Sequence, residues 1–376
     1  MQRIIHGDCL EEMRKMADNS ISCIVTDPPY GLSFMGKEWD NEIPGIECWR
    51  ECLRITKPGG YLLAMGGSRT SHRLATAIEK SGYEIRDTIM WIYGSGFPKS
   101  HNHFGLDGYG TALKPAYEPI LVCMKPCDGT FKENAQKWGQ AGINIEDCRI
   151  DYTDTKDQQL ARCERNTCTV KTLYEGGLHS LDRSDRSNIT GRWPANVLFD
   201  EEAAKMLDEQ SGISTTRPDN RKGIRLGKGG ISCYSRGWGD SPNNINDSGG
   251  ASRFFYCAKA STRERNEGLK GLPLKPAGIK NDSGRGFSEA DPLKEIKYKN
   301  PHPTVKPLKL MEYLIKLVMP PKDGVLLDPF CGSGTTIVAA ARLNHSVIGI
   351  EKEEDYVQIA RARLTHEQAK TKERYG

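Results

Sequence analysis

The chain has 376 residues, of which 27% are charged and 37% are hydrophobic, and its formal net charge is +4 at neutral pH. This length exceeds what one compact domain usually needs and can bury a sizeable core. A mean hydropathy of −0.59, together with the lack of any apolar run of about eighteen residues, excludes a membrane span. The first twenty residues lack the basic-then-apolar order of a signal peptide, so we expect a cytoplasmic protein with no membrane partner.

The twelve cysteines indicate neither a zinc site nor a disulfide framework. Cys23, Cys123 and Cys257 stand singly in strand-like contexts, without the paired Cys-x-x-Cys spacing of zinc sites. Cys163 and Cys168 form a close pair, and their spacing is a weak metal signal. We therefore predict free or structural thiols and no bound metal, with a metal at that pair as the alternative.

The first informative motif is the corner Thr26–Tyr30, which follows an apolar strand ending in Ile24 and Val25. Pro28 and Pro29 must stop that strand, because neither ring nitrogen can donate a hydrogen bond. Asp27 can accept one hydrogen of an exocyclic amine, and a proline-restricted carbonyl can accept the other. Tyr30 offers a flat face for stacking on a base. The pattern indicates an amine-holding pocket, and an ordinary turn is the alternative.

Helices and strands then alternate, which predicts an α/β fold with a doubly wound, mainly parallel sheet. The predicted elements are a helix over Cys48–Thr56, a strand over Tyr61–Met65, a helix over Ser71–Ser81, and strands over Tyr83–Tyr93 and Glu118–Lys125.

Residues 126–300 break this rhythm and read as an insertion, with short strand-like pieces at Ala195–Phe199 and Arg253–Ala258. Residues 215–285 hold 14 Lys/Arg against 6 Asp/Glu, whereas residues 151–210 hold 8 against 12. Such a local basic footprint favours contact with a phosphate backbone, and a solvated loop is the alternative. The candidate DNA-binding residues are Lys99, Arg217, Arg221, Lys222, Arg225, Lys228 and Arg236.

Near the C-terminus, the strand Val325–Leu327 leads into a glycine-bearing turn and a helix of small residues. Gly332 and Gly334 let a ligand approach the backbone closely. A second strand, Ser346–Ile350, ends in Glu351, whose carboxylate is placed to accept hydrogen bonds from ribose hydroxyls. Because no Gly-Lys-Ser/Thr follows the turn, a nucleoside fits this pattern better than a triphosphate.

Together these motifs resemble the beta-class DNA amino-methyltransferases that use S-adenosylmethionine, whose Rossmann-like sheet is circularly permuted. The resemblance covers residues 1–125 and 300–365. It implies a catalytic half at 1–125, an inserted target-recognition region at 126–300 and a cofactor-binding half at 301–376. It assigns Asp27–Tyr30 to the target base and Asp8 to the cofactor's adenine. It assigns Lys306, within the segment His302–Pro307, to the cofactor's methionine end. The loop residues that it assigns to the cofactor are Asp328, Phe330, Gly332, Ser333, Gly334 and Thr335.

The resemblance implies methyl transfer to N6 of an adenine flipped out of double-stranded DNA. In this family Asp at the first motif position usually accompanies adenine, whereas Ser accompanies cytosine-N4 chemistry. The alternatives are a cytosine-N4 enzyme, an RNA or protein amide methyltransferase, and a non-catalytic DNA-binding module. The segments Trp193–Phe199 and Phe254–Ala260 are similar to segments of phage-type members. The family also allows a homodimer and a partner restriction enzyme, neither of which the sequence determines.

Overall fold

The fold is taken from a computed structural model, which describes residues 1–32, 40–96, 108–152, 191–215, 248–258, 264–269, 275–276, 297–298, 300, 302, 305–321 and 324–375. The chain divides into two compact units. Unit 1 comprises Met1–Cys148, Asn196–Ala203 and Cys257–Gly376, and unit 2 comprises Arg149–Ala195 and Ala204–Tyr256.

The described strands are numbered in chain order. They are β1 (Gln2–His6), β2 (Cys23–Thr26), β3 (Tyr61–Met65), β4 (Glu84–Ile92), β5 (Tyr117–Met124), β6 (Val197–Asp200), β7 (Ser214–Thr215), β8 (Ser248–Gly249), β9 (Tyr256–Ala258), β10 (Lys275–Pro276), β11 (Lys297–Tyr298), β12 (Val325–Asp328) and β13 (Ser346–Glu351). Nine of these strands form one sheet in the order β1-β13-β12-β2-β3-β5-β4-β6-β9.

The described helices are numbered in the same way. They are α1 (Cys9–Arg14), α2 (Ile46–Ile55), α3 (Ser71–Lys80), α4 (Phe131–Trp138), α5 (Glu201–Ser211), α6 (Leu308–Val318), α7 (Thr335–Arg342) and α8 (Glu354–Tyr375). A core cluster that includes Met13 of α1, Trp49 of α2 and Ile78 of α3 packs with sheet residues such as Leu62. These side chains are fully buried, so the first half of unit 1 has an extensive apolar core.

Parallel pairing places the two ends of the chain side by side in the sheet. β1 pairs with β13 so that His6 lies opposite Glu351, and β12 pairs with β2 so that Leu327 lies opposite Ile24. β2 also runs parallel to β3. Because parallel strands end at the same edge of a sheet, the loops after β1, β2, β12 and β13 meet at that edge.

The predicted elements are confirmed to within about two residues, a normal uncertainty for element boundaries. The prediction of a mainly parallel sheet also holds, although not every strand pair is parallel. β5 runs antiparallel to both β3 and β4. The predicted strand over Arg253–Ala258 is wrong in its first part, because Ala251–Phe254 forms a 3₁₀ turn.

Unit 2 has little regular structure among its described residues. Ile150 and Arg192 form an isolated antiparallel bridge, and β7 pairs with β8. The Asp208 carboxylate accepts hydrogen bonds from the backbone N–H and the hydroxyl of Ser252, at 2.8 and 2.7 Å. Across all the residues that the structure describes, no helix combines the length and hydropathy that a membrane span requires.

Candidate active site

The corner after β2 is held open by an aspartate from a neighbouring loop. Oδ1 of the buried Asp40 accepts hydrogen bonds from the backbone N–H of Tyr30, at 2.6 Å, and of Gly31, at 3.2 Å. Gly31 has a φ of +66°, a conformation that glycine adopts without steric cost. The two prolines end the strand as predicted, and Asp40 then fixes the direction in which the chain leaves the corner.

Asp27 lies at the centre of a four-residue group, the Asp27 cluster, which comprises Asp27, Tyr30, Glu118 and Lys306. Asp27 Oδ1 accepts a hydrogen bond from the Tyr30 hydroxyl at 2.8 Å, and Oδ2 lies 2.6 Å from Lys306 Nζ. Glu118 Oε2 lies 3.1 Å from the Tyr30 hydroxyl and 3.3 Å from Lys306 Nζ. The cluster therefore joins three distant parts of the sequence around one ammonium group.

Electrostatics set the protonation states of Lys306 and Tyr30. Burial lowers the pKa of Lys306, but the charges of Asp27 and Glu118 outweigh burial, so this pKa lies above its ordinary value. Burial raises the pKa of Tyr30 well above its usual range, and the same two carboxylates raise it further. Lys306 is thus a cation and Tyr30 a neutral phenol at physiological pH. Lys306 Nζ also lies 5.4 Å from the centre of the Tyr30 ring, within cation–π range.

The loop after β12 places two glycines, whose backbone carries no side chain, at the edge of the sheet. Gly332 and Gly334 have φ values of +51° and +82°. A Cβ on Gly332 would lie 2.8 Å from His302 Nε2, and a Cβ on Gly334 would lie 2.8 Å from the Cβ of Ala360. Both positions therefore require glycine for conformational and steric reasons.

Glu351 fastens this loop to the end of β13. Its Oε2 accepts a hydrogen bond from Gly332 N at 2.8 Å, and its Oε1 accepts one from Glu353 N at 2.8 Å. Burial raises the pKa of the Glu351 carboxyl. Each oxygen has a second lone pair, so the group can still accept a hydrogen bond from a ligand hydroxyl.

An arginine of α8 forms hydrogen bonds with Ser333 and Thr335. The buried Arg363 donates through Nη1 to the Ser333 carbonyl at 2.7 Å, and it lies 3.2 Å from the Thr335 hydroxyl. Gly334 is the N-cap residue of α7. These contacts order the loop, so its backbone is positioned before any ligand arrives.

Asp8 occupies the corresponding place after β1. Its Oδ1 caps α1 by accepting hydrogen bonds from Leu10 N at 2.9 Å and Glu11 N at 3.3 Å. Gly7 N donates to the Glu351 carbonyl at 3.0 Å, which keeps the ends of β1 and β13 together. Asp8 therefore lies at the same edge of the sheet as Glu351.

All of these loops open onto one cavity of about 1440 Å³ within unit 1. Twelve of the thirteen catalytic and cofactor-binding candidates line it. They are Asp8, Asp27, Pro28, Pro29, Tyr30, Lys306, Asp328, Phe330, Gly332, Ser333, Thr335 and Glu351. Gly334 does not line the cavity. The seven DNA-binding candidates, Lys99, Arg217, Arg221, Lys222, Arg225, Lys228 and Arg236, lie outside the described residues.

The sequence reasoning missed three residues of this region, namely Asp40, Glu118 and Arg363. The signal for Glu118 was weak, since it is an acid at the start of an otherwise apolar strand. No pattern marked Asp40 or Arg363. Among the described residues, no group of three or more His, Cys, Asp or Glu side chains could hold a metal ion. The close pair Cys163 and Cys168 lies outside the described residues.

Asp328 joins the two motifs directly, and it carries a pH-dependent stability effect. Its Oδ1 accepts hydrogen bonds from the Thr26 hydroxyl at 2.7 Å and from Phe330 N at 3.1 Å. Burial raises its pKa to about 6, although side-chain hydrogen bonds from Thr336 and Thr26 oppose the shift. A carboxyl whose pKa is raised by folding stabilises the fold while it is protonated, and this contribution is lost as the pH rises through the folded-state pKa.

Replacing Asp328 with asparagine should remove this titration. We expect the variant to gain stability relative to the wild type, by about 1 kcal/mol, as the pH rises from 5 to 7.5. Urea unfolding of both proteins at the two pH values measures the change. A stability difference that does not vary with pH would contradict the proposed burial of the charge.

Comparisons with known proteins identify the family of this chain. A model of the DNA methylase family matches residues 21–362. The Type II methyltransferase M.HindIII of Haemophilus influenzae is 47% identical, over 96% of this chain and 94% of its own length. The DNA adenine methyltransferase YhdJ of Escherichia coli is 30% identical over 35% of this chain, and the chain spans only 44% of its length. A solved structure of the cytosine-N4-specific PvuII DNA methyltransferase has a TM-score of 0.47 at 16% identity, covering 96% of this chain and 86% of that one. Since the family model matches nearly the whole chain, the protein belongs to the DNA methylase family.

Proposed function

We propose that the protein transfers the methyl group of S-adenosylmethionine to N6 of an adenine flipped out of duplex DNA. One observation carries this proposal: the amine-holding corner at Asp27–Tyr30 and the glycine loop after β12 line the same cavity. Two motifs about 300 residues apart in the sequence therefore meet, and Asp328 accepts hydrogen bonds from Thr26 of the first and Phe330 of the second. A cavity of this size can hold two ligands at once.

The residues around the glycine loop fit the cofactor. Gly332 presents backbone with no side chain to the cavity, where a ligand can approach closely. Asp8 and Glu351 add carboxylate oxygens at the same edge, which suit the hydroxyl and amino groups of a nucleoside. When bound, the cofactor supplies a methyl group already activated by a sulfonium centre. The protein then needs only to align and desolvate the acceptor nitrogen.

The Asp27 cluster would hold the acceptor base. Conjugation makes the exocyclic nitrogen a poor nucleophile, so hydrogen bonds to the Asp27 carboxylate and the Pro28 carbonyl would pull it toward tetrahedral geometry and localise its lone pair on the nitrogen. Tyr30 would stack on the base. Lys306 Nζ lies 2.6 Å from Asp27 Oδ2 and so orients a carboxylate whose oxygens serve as acceptors. The amine is inaccessible inside a duplex, so the base must leave the stack at a cost of about a few kcal/mol.

Adenine is the proposed base for two reasons. The first motif position is Asp27, which accompanies adenine in the resembled family. In addition, a relative that matches 35% of this chain is named a DNA adenine methyltransferase. We further propose a cytoplasmic location and a division into a catalytic half (1–125), a recognition region (126–300) that contacts DNA through its basic residues, and a cofactor half (301–376). A homodimer and a restriction partner stay predictions from the resemblance.

Replacing Glu351 with alanine should weaken cofactor binding. The change removes the acceptor that fixes Gly332 N and a carboxylate that would meet the cofactor. We expect the affinity for S-adenosylmethionine to fall on the order of 10- to 100-fold, which calorimetric titration can measure. Glu354→Ala is the matched control, because that exposed glutamate does not line the cavity. An unchanged affinity in Glu351→Ala would remove this residue from the proposed site.

The substrate class is tested by incubating the protein with methyl-labelled S-adenosylmethionine and, in parallel, plasmid DNA, cellular RNA or a protein extract. We expect label in DNA alone. Label in RNA or in protein would overturn the proposed substrate. Cofactor binding without transfer to any of the three would favour a non-catalytic module.

A further inference from the structure

The rim of the cavity carries an unusually exposed leucine. Residues 111–118 all line the cavity, and within this stretch Leu113 is 92% exposed. It is the most exposed large hydrophobic side chain among the described residues, and Tyr117, the other exposed one on the rim, is 38% exposed. Single exposed leucines are common on protein surfaces. Leu113 differs in its position, at the mouth of the cavity that would receive a flipped base.

The backbone beside Leu113 is firmly attached to the end of β4. Tyr93 N donates to the Ala116 carbonyl at 3.0 Å, and Lys114 Nζ donates to the Gly94 carbonyl. Gly96 packs so closely on Pro115 that an added Cβ would lie 1.8 Å from the Pro115 carbonyl oxygen. Leu113 therefore projects from a positioned segment.

The same segment leads directly into the Asp27 cluster. Glu118, five residues after Leu113, reaches the Tyr30 hydroxyl and Lys306. Five residues span at most about 18 Å, so Leu113 lies within about that distance of Glu118 along the chain. The exposed Arg69 also lines the cavity and places a cation at its edge. A cation and an apolar side chain at the edge of the cavity suit a duplex whose phosphates and base stack are both contacted.

A flipped base leaves a gap in the stack, and its two former neighbours lose their stacking partner. Proteins that distort duplexes commonly insert an apolar side chain between base steps. We propose that Leu113 enters the stack of the bound duplex and fills the space left by the flipped base. This inference rests on the proposed function, because a protein that does not act on duplex DNA has no stack to enter.

The site that the wild-type protein methylates is first mapped on plasmid DNA. A short duplex that carries this site is then the substrate of the test. A second duplex has an abasic position opposite the target base, which makes flipping easier. For Leu113→Ala we expect methylation of the paired duplex to fall on the order of 10- to 100-fold, with most of the activity recovered on the abasic duplex. Leu113→Phe should keep most activity on both. Ile143→Ala, at a 39% exposed position away from the cavity, should match the wild type.

A second readout does not depend on turnover. With 2-aminopurine at the target position, wild-type binding should raise the fluorescence, and Leu113→Ala should raise it less at equal occupancy. Equal activity losses on the two duplexes, or no loss on the paired duplex, would overturn the role of Leu113 and leave the proposed function intact. A wild-type protein that methylates neither duplex would instead overturn the proposed function, and this inference with it.

Discussion

Asp27→Ala is expected to lower methyl transfer to DNA by about a thousandfold or more, because it removes the acceptor that would orient the attacking amine. The same change deprives the Tyr30 hydroxyl and Lys306 Nζ of partners at 2.8 and 2.6 Å. Single-turnover kinetics with labelled cofactor measures the transfer step. The residues proposed to hold the cofactor's nucleoside, Glu351 among them, keep their contacts. Cofactor affinity in the variant should therefore stay close to the wild-type value.

Asp27→Asn is the sharper version of this test, since it keeps the shape of the side chain. The amide retains one acceptor oxygen but turns donor hydrogens toward either the ammonium of Lys306 or the Tyr30 hydroxyl. We expect it to be nearly as defective as alanine. Wild-type activity in Asp27→Asn, or loss of cofactor affinity in either variant, would contradict the division of the cavity into a base side and a cofactor side.

Lys306→Met is expected to lower kcat/KM at neutral pH on the order of a hundredfold. The variant keeps the apolar stem but removes the cation that lies 2.6 Å from Asp27 and 3.3 Å from Glu118. Two partly buried carboxylates are then left without the cation that offsets their mutual repulsion, which favours binding of a proton by the pair. Part of the lost activity should therefore return as the pH rises, and a pH profile of kcat/KM measures this recovery.

Lys309→Met provides the matched control. Lys309 also pairs with a glutamate, Glu312, at 2.7 Å, but its side chain is 51% exposed. Exposed ion pairs contribute little, so the control should keep its activity and its pH profile. A Lys306→Met profile parallel to that of the wild type would show that the ammonium does not act through the two carboxylates. In that case, loss of cofactor affinity alone would assign Lys306 to the cofactor, as the resemblance implies.

The two motif boxes could be predicted because each is encoded locally. Two consecutive prolines must end a strand, and glycines at 332 and 334 suit the left-handed backbone that the structure shows there. The ends of the apolar runs likewise predict the boundaries of β3 and β13. The conformation of each of these residues depends on neighbours only a few positions away in the sequence. The sequence alone was therefore sufficient to predict it.

The Asp27 cluster could not be predicted because its contacts depend on the fold. Asp27 and Lys306 are 279 positions apart, and Tyr30 and Glu118 are 88 positions apart. These residues come together only because of the order of the strands in the sheet. The periodicity of apolar residues along the sequence does not indicate that order. The direction of β5 was missed for a similar reason: an apolar strand reads alike in a parallel and an antiparallel pair, and the connection decides between them.

The identity of the methylated nucleoside tests the central claim most directly. Duplex plasmid DNA is incubated with the protein and S-adenosylmethionine carrying an isotopically labelled methyl group, digested to nucleosides and analysed by mass spectrometry. The Asp27→Ala variant serves as the blank. Labelled N6-methyldeoxyadenosine, formed by the wild type and not by the variant, is the predicted result. Labelled N4-methyldeoxycytidine, or no labelled nucleoside at all, would contradict it.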